Sequence, residues 1–376
     1  MQNDSSSVYA PSKRSEKRIK TIRSIYQISR VAAVIHFVCL CIAFFLWVQN
    51  RDKRNAVYEM YRPAFVPDSN LTTVIQNQLV ESCPRAALTV LTLQAEFPVP
   101  ESASILSIRG AWLAVRTTPF GFVHMNGYHL LFVIFGVSFL AQLNVVFEFR
   151  KSKKTEDYDF FMQPCAARWF EYAITSPCMI SVIAASLAIR DVNTILLLAA
   201  AQGALCQFGF AMECAFELRK CEPNEFQPPP KHIEFRPFPV VPLLRTIPNM
   251  SHQLWYWSFV PSMLLHVLVW GVLLSSFADQ QGTRCADGDG KMPDWIVAIL
   301  AAQGVLFTLF VVVAVLQSWK LDMVPFRVRK AIEPEDVQDS FVDAFWYYTI
   351  LSAVAKAVLG MTYVSYVNQF PLYTPL

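Results

Sequence analysis

Residues 341–364 read FVDAFWYYTILSAVAKAVLGMTYV, an apolar run of membrane-spanning length broken by one lysine, Lys356. An apolar helix of about 20 residues crosses the hydrocarbon core of a bilayer. Lys356 stands about eight residues from the outer end of this run, or about 12 Å along a helix. A lysine arm does not reach that far, and its side chain leans back toward the helix N-terminus. An unpaired charge at that depth costs ~3 kcal/mol or more, so a lysine kept there points to function.

Working outward, six further runs have the same character: 31–49, 128–147, 169–189, 194–215, 254–277 and 294–318. Apolar residues make up 54% of the chain and charged ones only 16%, against roughly 25% charged in a soluble domain. The fold class is therefore an all-α membrane protein, a seven-transmembrane helix bundle spanning 31–364. Segment 1–30 reads as a basic polar tail and 365–376 as a short C-terminal tail. The tail has no apolar core ending in small residues, so it is not a cleavable signal peptide, and the first apolar helix serves as its own anchor. The long connection 50–127 alternates like strands over 87–93 and 104–115, which predicts a cap of β-hairpin type. No internal repeat is visible, which disfavours an inverted-repeat transporter.

Lys and Arg residues set the orientation. The N-terminal segment and the loops 150–167, 216–253 and 319–340 carry 20 of them, while the two short loops on the other side carry 3. That predicts a cytoplasmic N-terminus and, with seven spans, a C-terminus outside. Two details agree. The sequon Asn70-Leu71-Thr72 falls outside, and so do Cys83 and Cys285, where an oxidising compartment would let them pair. A second sequon, Asn249-Met250-Ser251, falls inside. The third helix has no closing Asp-Arg-Tyr and the seventh no Asn-Pro-x-x-Tyr, and the termini are on the wrong sides for a G-protein-coupled receptor. No Cys or His spacing suits a metal.

A buried lysine amine loses its proton readily, and the neutral amine attacks aldehydes to give a Schiff base. Once protonated, that cation needs a carboxylate. Glu171 opens the third helix in Arg168-Trp169-Phe170-Glu171-Tyr172, and helices three and seven run in the same direction, so the two heads come within reach. At ~4 Å and an effective dielectric near 20 the attraction is about 4 kcal/mol. Arg168, three residues earlier on the same helix face, competes for Glu171 or shares it. Glu213 and Glu217, one turn apart at the inner end of helix four, read as solvated interface charges, with a cavity position for Glu213 as the alternative. His266 reads as an interior histidine rather than a proton relay. Trp255, Trp257, Trp270, Phe307 and Phe310 have the bulk of a polyene pocket, though spacing does not separate pocket from lipid face.

These residues together resemble the heliorhodopsins, inverted retinal-binding proteins. The match rests on Arg-Trp-x-Glu-Tyr at 168–172, Leu-Ser-x-x-x-Lys at 351–356, His36 in Val34-Ile35-His36-Phe37, and Phe208-Gly209-Phe210-Ala211-Met212-Glu213. The resemblance implies that Lys356 carries retinal, all-trans in the dark, with Glu171 as counterion and Ser352 beside the linkage. It places Trp169 and Tyr172 on the pocket side, with Arg168 and Thr175 nearby on the same helix. His36 corresponds to the first of two histidines in a polar cytoplasmic cavity. The second has no equivalent: His129 lies at the wrong end of helix two, and Gln142 or Asn144 takes the neighbourhood. Gln202 stands where asparagine is usual, and Pro177 where serine is common. The resemblance further implies light sensing rather than enzymatic catalysis, a homodimer in the lipid bilayer, and an unidentified cytoplasmic signalling partner. A light-gated passive proton conductance and a retinal-free, lysine-dependent transporter are the alternatives.

Overall fold

The computed structural model of the protein describes residues 13–49, 57–60, 123–187, 189, 191–221, 250–283, 294–323 and 332–367. These form seven α-helices: α1 (Lys13–Gln49), α2 (Gly127–Thr155), α3 (Ala166–Ser186), α4 (Val192–Cys221), α5 (Met250–Thr283), α6 (Asp294–Lys320) and α7 (Pro334–Val367). All but α3 are long and apolar enough to cross a membrane. Helix α3 is about 31 Å long at 1.5 Å per residue, which also matches the hydrocarbon thickness. It is less apolar because it is the interior helix: Arg168, Glu171, Thr175 and Ser181 are all buried on it. Two short strands, β1 (Val57–Met60) and β2 (Val123–Asn126), pair antiparallel with Val57 opposite Asn126. They pin the two ends of the long connection at the outer end of the bundle. The strand-like stretches 87–93 and 104–115, the sequon at 70–72, Asn249 of the second sequon, Cys83 and Cys285 lie outside the described residues.

Consecutive helices pack side by side from α1 to α5, α6 packs on α7, and α7 returns to α1. Helices α5 and α6 meet through side chains: Trp270 lies on Gly304 and Phe307, and Trp255 Nε1 donates to Ser318 Oγ (2.8 Å). Local signals set the ends. Pro334 opens α7 at a position where its missing N–H costs nothing, with Glu335 and Asp336 in the first turn. Asp191 caps α4, accepting from the Asn193 and Thr194 N–H groups (3.1 and 3.0 Å). Glu156, at φ 56°, stops α2 in the left-handed conformation.

The outer half is packed dry. Gly360 leaves just the room that the Phe135 ring occupies, and Gly127 does the same for the Tyr363 hydroxyl. Around these contacts Leu131, Ile134, Ile180, Val182 and Leu359 are buried to within a few per cent. Small residues that admit large ones are the usual way membrane helices approach closely.

Helix α1 is the surprise at the inner end. It begins at Lys13, within the segment read as a basic tail, so it continues about five turns below the expected span. Its inner extension is held down. Ile22 and Ile25 are fully buried, Tyr26 stacks on Phe149 with centroids 4.3 Å apart, and Trp346 Nε1 donates to Ser24 Oγ (3.1 Å). Arg14 and Arg18 donate to the two oxygens of Asp339 (2.7 Å each), and Arg18 also reaches Gln338 (2.7 Å). This ties α1 to the first turns of α7. Half-exposed ion pairs contribute modestly, so Asp339→Ala should cost about 1 kcal/mol of thermal stability in detergent, and less in high salt. A loss that salt leaves untouched would show that packing at Ile22 and Ile25 carries the attachment instead.

Candidate functional site

Lys356 is 2% exposed, in the middle of α7. Its ammonium donates to Glu171 Oε1 on α3 and to Ser352 Oγ one turn earlier on α7 (2.8 Å). Glu171 is equally buried and receives a second donor, Ser138 Oγ of α2, at 2.8 Å on the same oxygen. The Tyr172 ring lies over the ammonium, with its centroid 5.4 Å away. Helix direction explains the meeting. Both α3 and α7 start at the inner end; Glu171 reaches outward from the second turn of α3 while Lys356 folds back toward the start of α7. Ser138 went unnoticed in the sequence, where it looks like one small residue in the apolar run Phe135-Gly136-Val137-Ser138-Phe139. Its signal is that it stands one turn before Gln142, on the face that turns toward α3.

Arg168 does not share Glu171. It is paired with Glu213 of α4, and both are buried. The second Glu213 oxygen accepts the Cys165 backbone N–H (3.3 Å), just before α3 begins. The guanidinium lies over the Phe345, Tyr348 and Trp169 rings, at 4.6, 5.1 and 5.9 Å. Glu213 and Glu217, read as solvated interface charges, are instead 1% and 6% exposed. The reason is geometric: the inner ends of α3 and α4 pack together, which brings Glu213 onto the start of α3. Each buried cation thus has its own carboxylate, Lys356 with Glu171 and Arg168 with Glu213.

Two cavities flank this pair. The larger runs from Lys356, Ser352 and Ala355 between α3, α4, α5 and α6. Its walls include Trp169, Tyr172, Phe307, Phe310, Tyr348, Met179 and Met212, with few polar groups. Gln202, Cys206 and His266 also line it; Cys206 Sγ lies 3.8 Å from Ser176 Oγ. Trp270 packs behind Phe307, Trp255 lies buried below, and Trp257 faces outward at 70% exposure. The smaller cavity, of about 330 Å³, lies between α2, α3 and α7 toward the inner end. Gln142, Asn144, Arg168, Glu171 and Thr349 line it.

Two candidates stand aside from both cavities. Thr175 is buried but donates to the Glu171 carbonyl of its own helix (3.0 Å), as serine and threonine commonly do within helices. His36 is fully buried on α1 beside Phe135, with ring centroids 6.1 Å apart, and it does not line the polar cavity. Gln142 and Asn144 do line it, in the neighbourhood assigned to the missing histidine.

The heliorhodopsin family model matches residues 84–227, a segment that includes Ser138, Gln142, the Arg168–Tyr172 motif and Glu213. Over that segment, less than half of the chain, the protein is similar to the heliorhodopsins. No match is found among curated proteins. The six long apolar helices fit an integral, multi-pass membrane protein. Lys356 and His36 lie outside the matched segment, so their place in the site rests on the geometry above. That geometry fits retinal: an aromatic-walled cavity has a buried amine at one end and a carboxylate on that amine.

Breaking a buried ion pair on one side strands the other charge, at a cost of about 3–5 kcal/mol. Arg168→Met should therefore lower thermal stability by that order, whereas Arg168→Met combined with Glu213→Leu should recover most of the loss. Melting curves of both variants in detergent decide it. Equal losses would mean that Arg168 acts through its aromatic contacts rather than through Glu213.

Proposed function

We propose that Lys356 carries retinal through a Schiff base, that Glu171 is its counterion, and that the protein senses light rather than pumping ions. The observation that carries this reading is the buried Lys356–Glu171 pair beside the aromatic cavity that Lys356 lines. Retinal, all-trans in the dark, supplies light absorption and isomerisation when bound. The chain's own residues do the rest. Glu171 balances the charge on the Lys356 nitrogen, Ser352 and Ser138 orient the two, and Trp169, Tyr172, Phe310 and Tyr348 shape the polyene pocket. The segregated Lys and Arg residues support a cytoplasmic N-terminus and an outer C-terminus. A homodimer and a cytoplasmic partner complete the proposal.

Absence of active pumping follows from the two halves of the bundle. A pump needs a proton acceptor and a donor on opposite sides of the photoactive group. Eleven residues after Glu171 stands Val182, fully buried in the dry outer cluster and unable to hold a proton. A passive light-gated proton conductance is the second reading, supported by the polar cavity that reaches Glu171 from the inner side.

Two measurements test this. With added all-trans retinal, the wild-type protein should form a visible pigment, and Lys356→Ala should stay colourless. Glu171→Gln should lose its visible band at lower pH than wild type, or become halide-dependent. A coloured Lys356→Ala protein refutes the retinal assignment, and an unchanged Glu171→Gln titration moves the counterion elsewhere. Separately, illuminated liposomes at zero voltage and equal pH should show no sustained proton flux. Steady transport against a gradient would overturn the sensing reading, while a current reversing at the proton equilibrium potential would select the conductance.

A further inference from the structure

The two cavities share a wall. On α3, Arg168 and Glu171 face the polar cavity, while Trp169 and Ser176 face the aromatic one. On α7, Phe345 and Thr349 face the first, and Tyr348, Ser352 and Lys356 the second. Tyr172 lines both. Its ring is 5% exposed and wedged between Trp169 and Phe310, edge-on to each at 5.7 Å, with the Lys356 ammonium over its face. Its hydroxyl donates to the Tyr348 carbonyl (3.1 Å), so it is fastened to α7 at the boundary between the two linings. Phe310 stacks on Tyr348 with planes 16° apart, backing the fastened residue from α6.

We propose that Tyr172 is the partition that keeps water of the polar cavity away from the Lys356 nitrogen, and that its hydroxyl holds this partition closed on α7. The polar cavity has the features of a wet site. Arg168 Nε and Nη1 and Gln142 Oε1 are buried there without protein partners, and a cavity with several such groups holds ordered water. The aromatic cavity is mostly apolar-walled, with the Lys356 nitrogen at one end and the Gln202 amide and His266 elsewhere in its lining. Between them, Glu171 reaches past the partition: its carboxylate lines the wet side and bonds the nitrogen on the dry side. Tyr172 thus leaves that carboxylate as the contact between nitrogen and wet cavity. A shift of Lys356 would act on α7, the helix to which the Tyr172 hydroxyl is bonded. The partition is therefore placed to open with the helix.

This inference rests on retinal being bound at Lys356, and the experiment separates the two. Pigments of wild type, Tyr172→Phe, Tyr172→Leu and Tyr172→Ala are treated with hydroxylamine in the dark. The reagent replaces the Lys356 nitrogen on the linkage carbon, releasing the free amine and the retinal oxime, so the bleaching rate reports access to the linkage. Tyr172→Ala should bleach about tenfold faster than wild type, equivalent to lowering the access barrier by about 1.4 kcal/mol. Tyr172→Leu should fall between, and Tyr172→Phe should stay near wild type in the dark but bleach faster under illumination, having lost its fastening. The second readout needs no pigment: a crystal structure of the retinal-free Tyr172→Ala protein should show one continuous solvent-filled cavity from Gln142 to Ser352. If Ala and Leu pigments bleach at the wild-type rate, or the two cavities stay separate, the partition is elsewhere. Where Ala forms no pigment, Leu and the retinal-free structure carry the test. A wild-type protein that forms no pigment fails the retinal assignment itself, before Tyr172 is in question.

Discussion

An ammonium in the middle of a membrane helix needs a carboxylate, and that requirement organises the bundle. Neither water nor the bilayer surface is within reach of Lys356, so Glu171 must be delivered to it by another helix. That fixes α3 as the interior helix against α7. The same helix carries Arg168 and must bury that too. Arg168 is satisfied by Glu213 from the far side, which draws the inner end of α4 onto the start of α3. Two independent pairs result, and the site remains neutral without help from solvent.

Neutrality by pairs divides the molecule lengthwise. The outer half has no charge to accommodate and packs tightly, glycine against aromatic ring at Gly360 and Gly127. The inner half carries the pairs, the polar cavity and the extension of α1 clamped to α7 by Arg14 and Arg18. A displacement starting at Lys356 thus meets rigid packing outward and polar contacts inward. Inward is also where α7 is joined to α1, so motion of α7 is felt at the inner surface.

How much of this was legible in the sequence depended on whether the signal was local. Lys356 announces itself through depth alone, and Glu171 follows from counting which helices run in the same direction. The seven helices and the tight α3–α4 connection came from apolar runs and the residues that interrupt them. Glu213 was misread because it lies near a helix end, where charges are ordinarily solvated, and Arg168 was given to Glu171, its neighbour on the same helix, rather than to Glu213. Only the packing of α3 on α4 reveals that these two ends bury each other. The inner extension of α1 was hidden for a related reason: Ile22 and Ile25 form its buried face, but lysines and arginines on the other faces dominate the composition. Ser138 carried no signal until the position of Glu171 was known. His36, given to a polar cavity by the motif match, packs beside Phe135 and is not among the residues that line the cavity at Glu171.

The composition of the polar cavity bears directly on what a proton reaching Glu171 can do next. A histidine there would accept it, and the site would become one stage of a relay. Here the lining offers the Gln142 and Asn144 amides and the Thr349 hydroxyl, none of which takes up a proton near neutral pH. Arg168 is already a cation, and Glu213, its partner, is not among the cavity's lining residues. Among the described residues of that lining, Glu171 is the one carboxylate, and nothing basic stands beyond it. A proton placed on Glu171 therefore either returns or leaves through water, with no side chain to enforce direction. Directionless exchange suits the proposed sensing role, and it would leave the sealing of a linkage at Lys356 to packing, the task proposed for Tyr172.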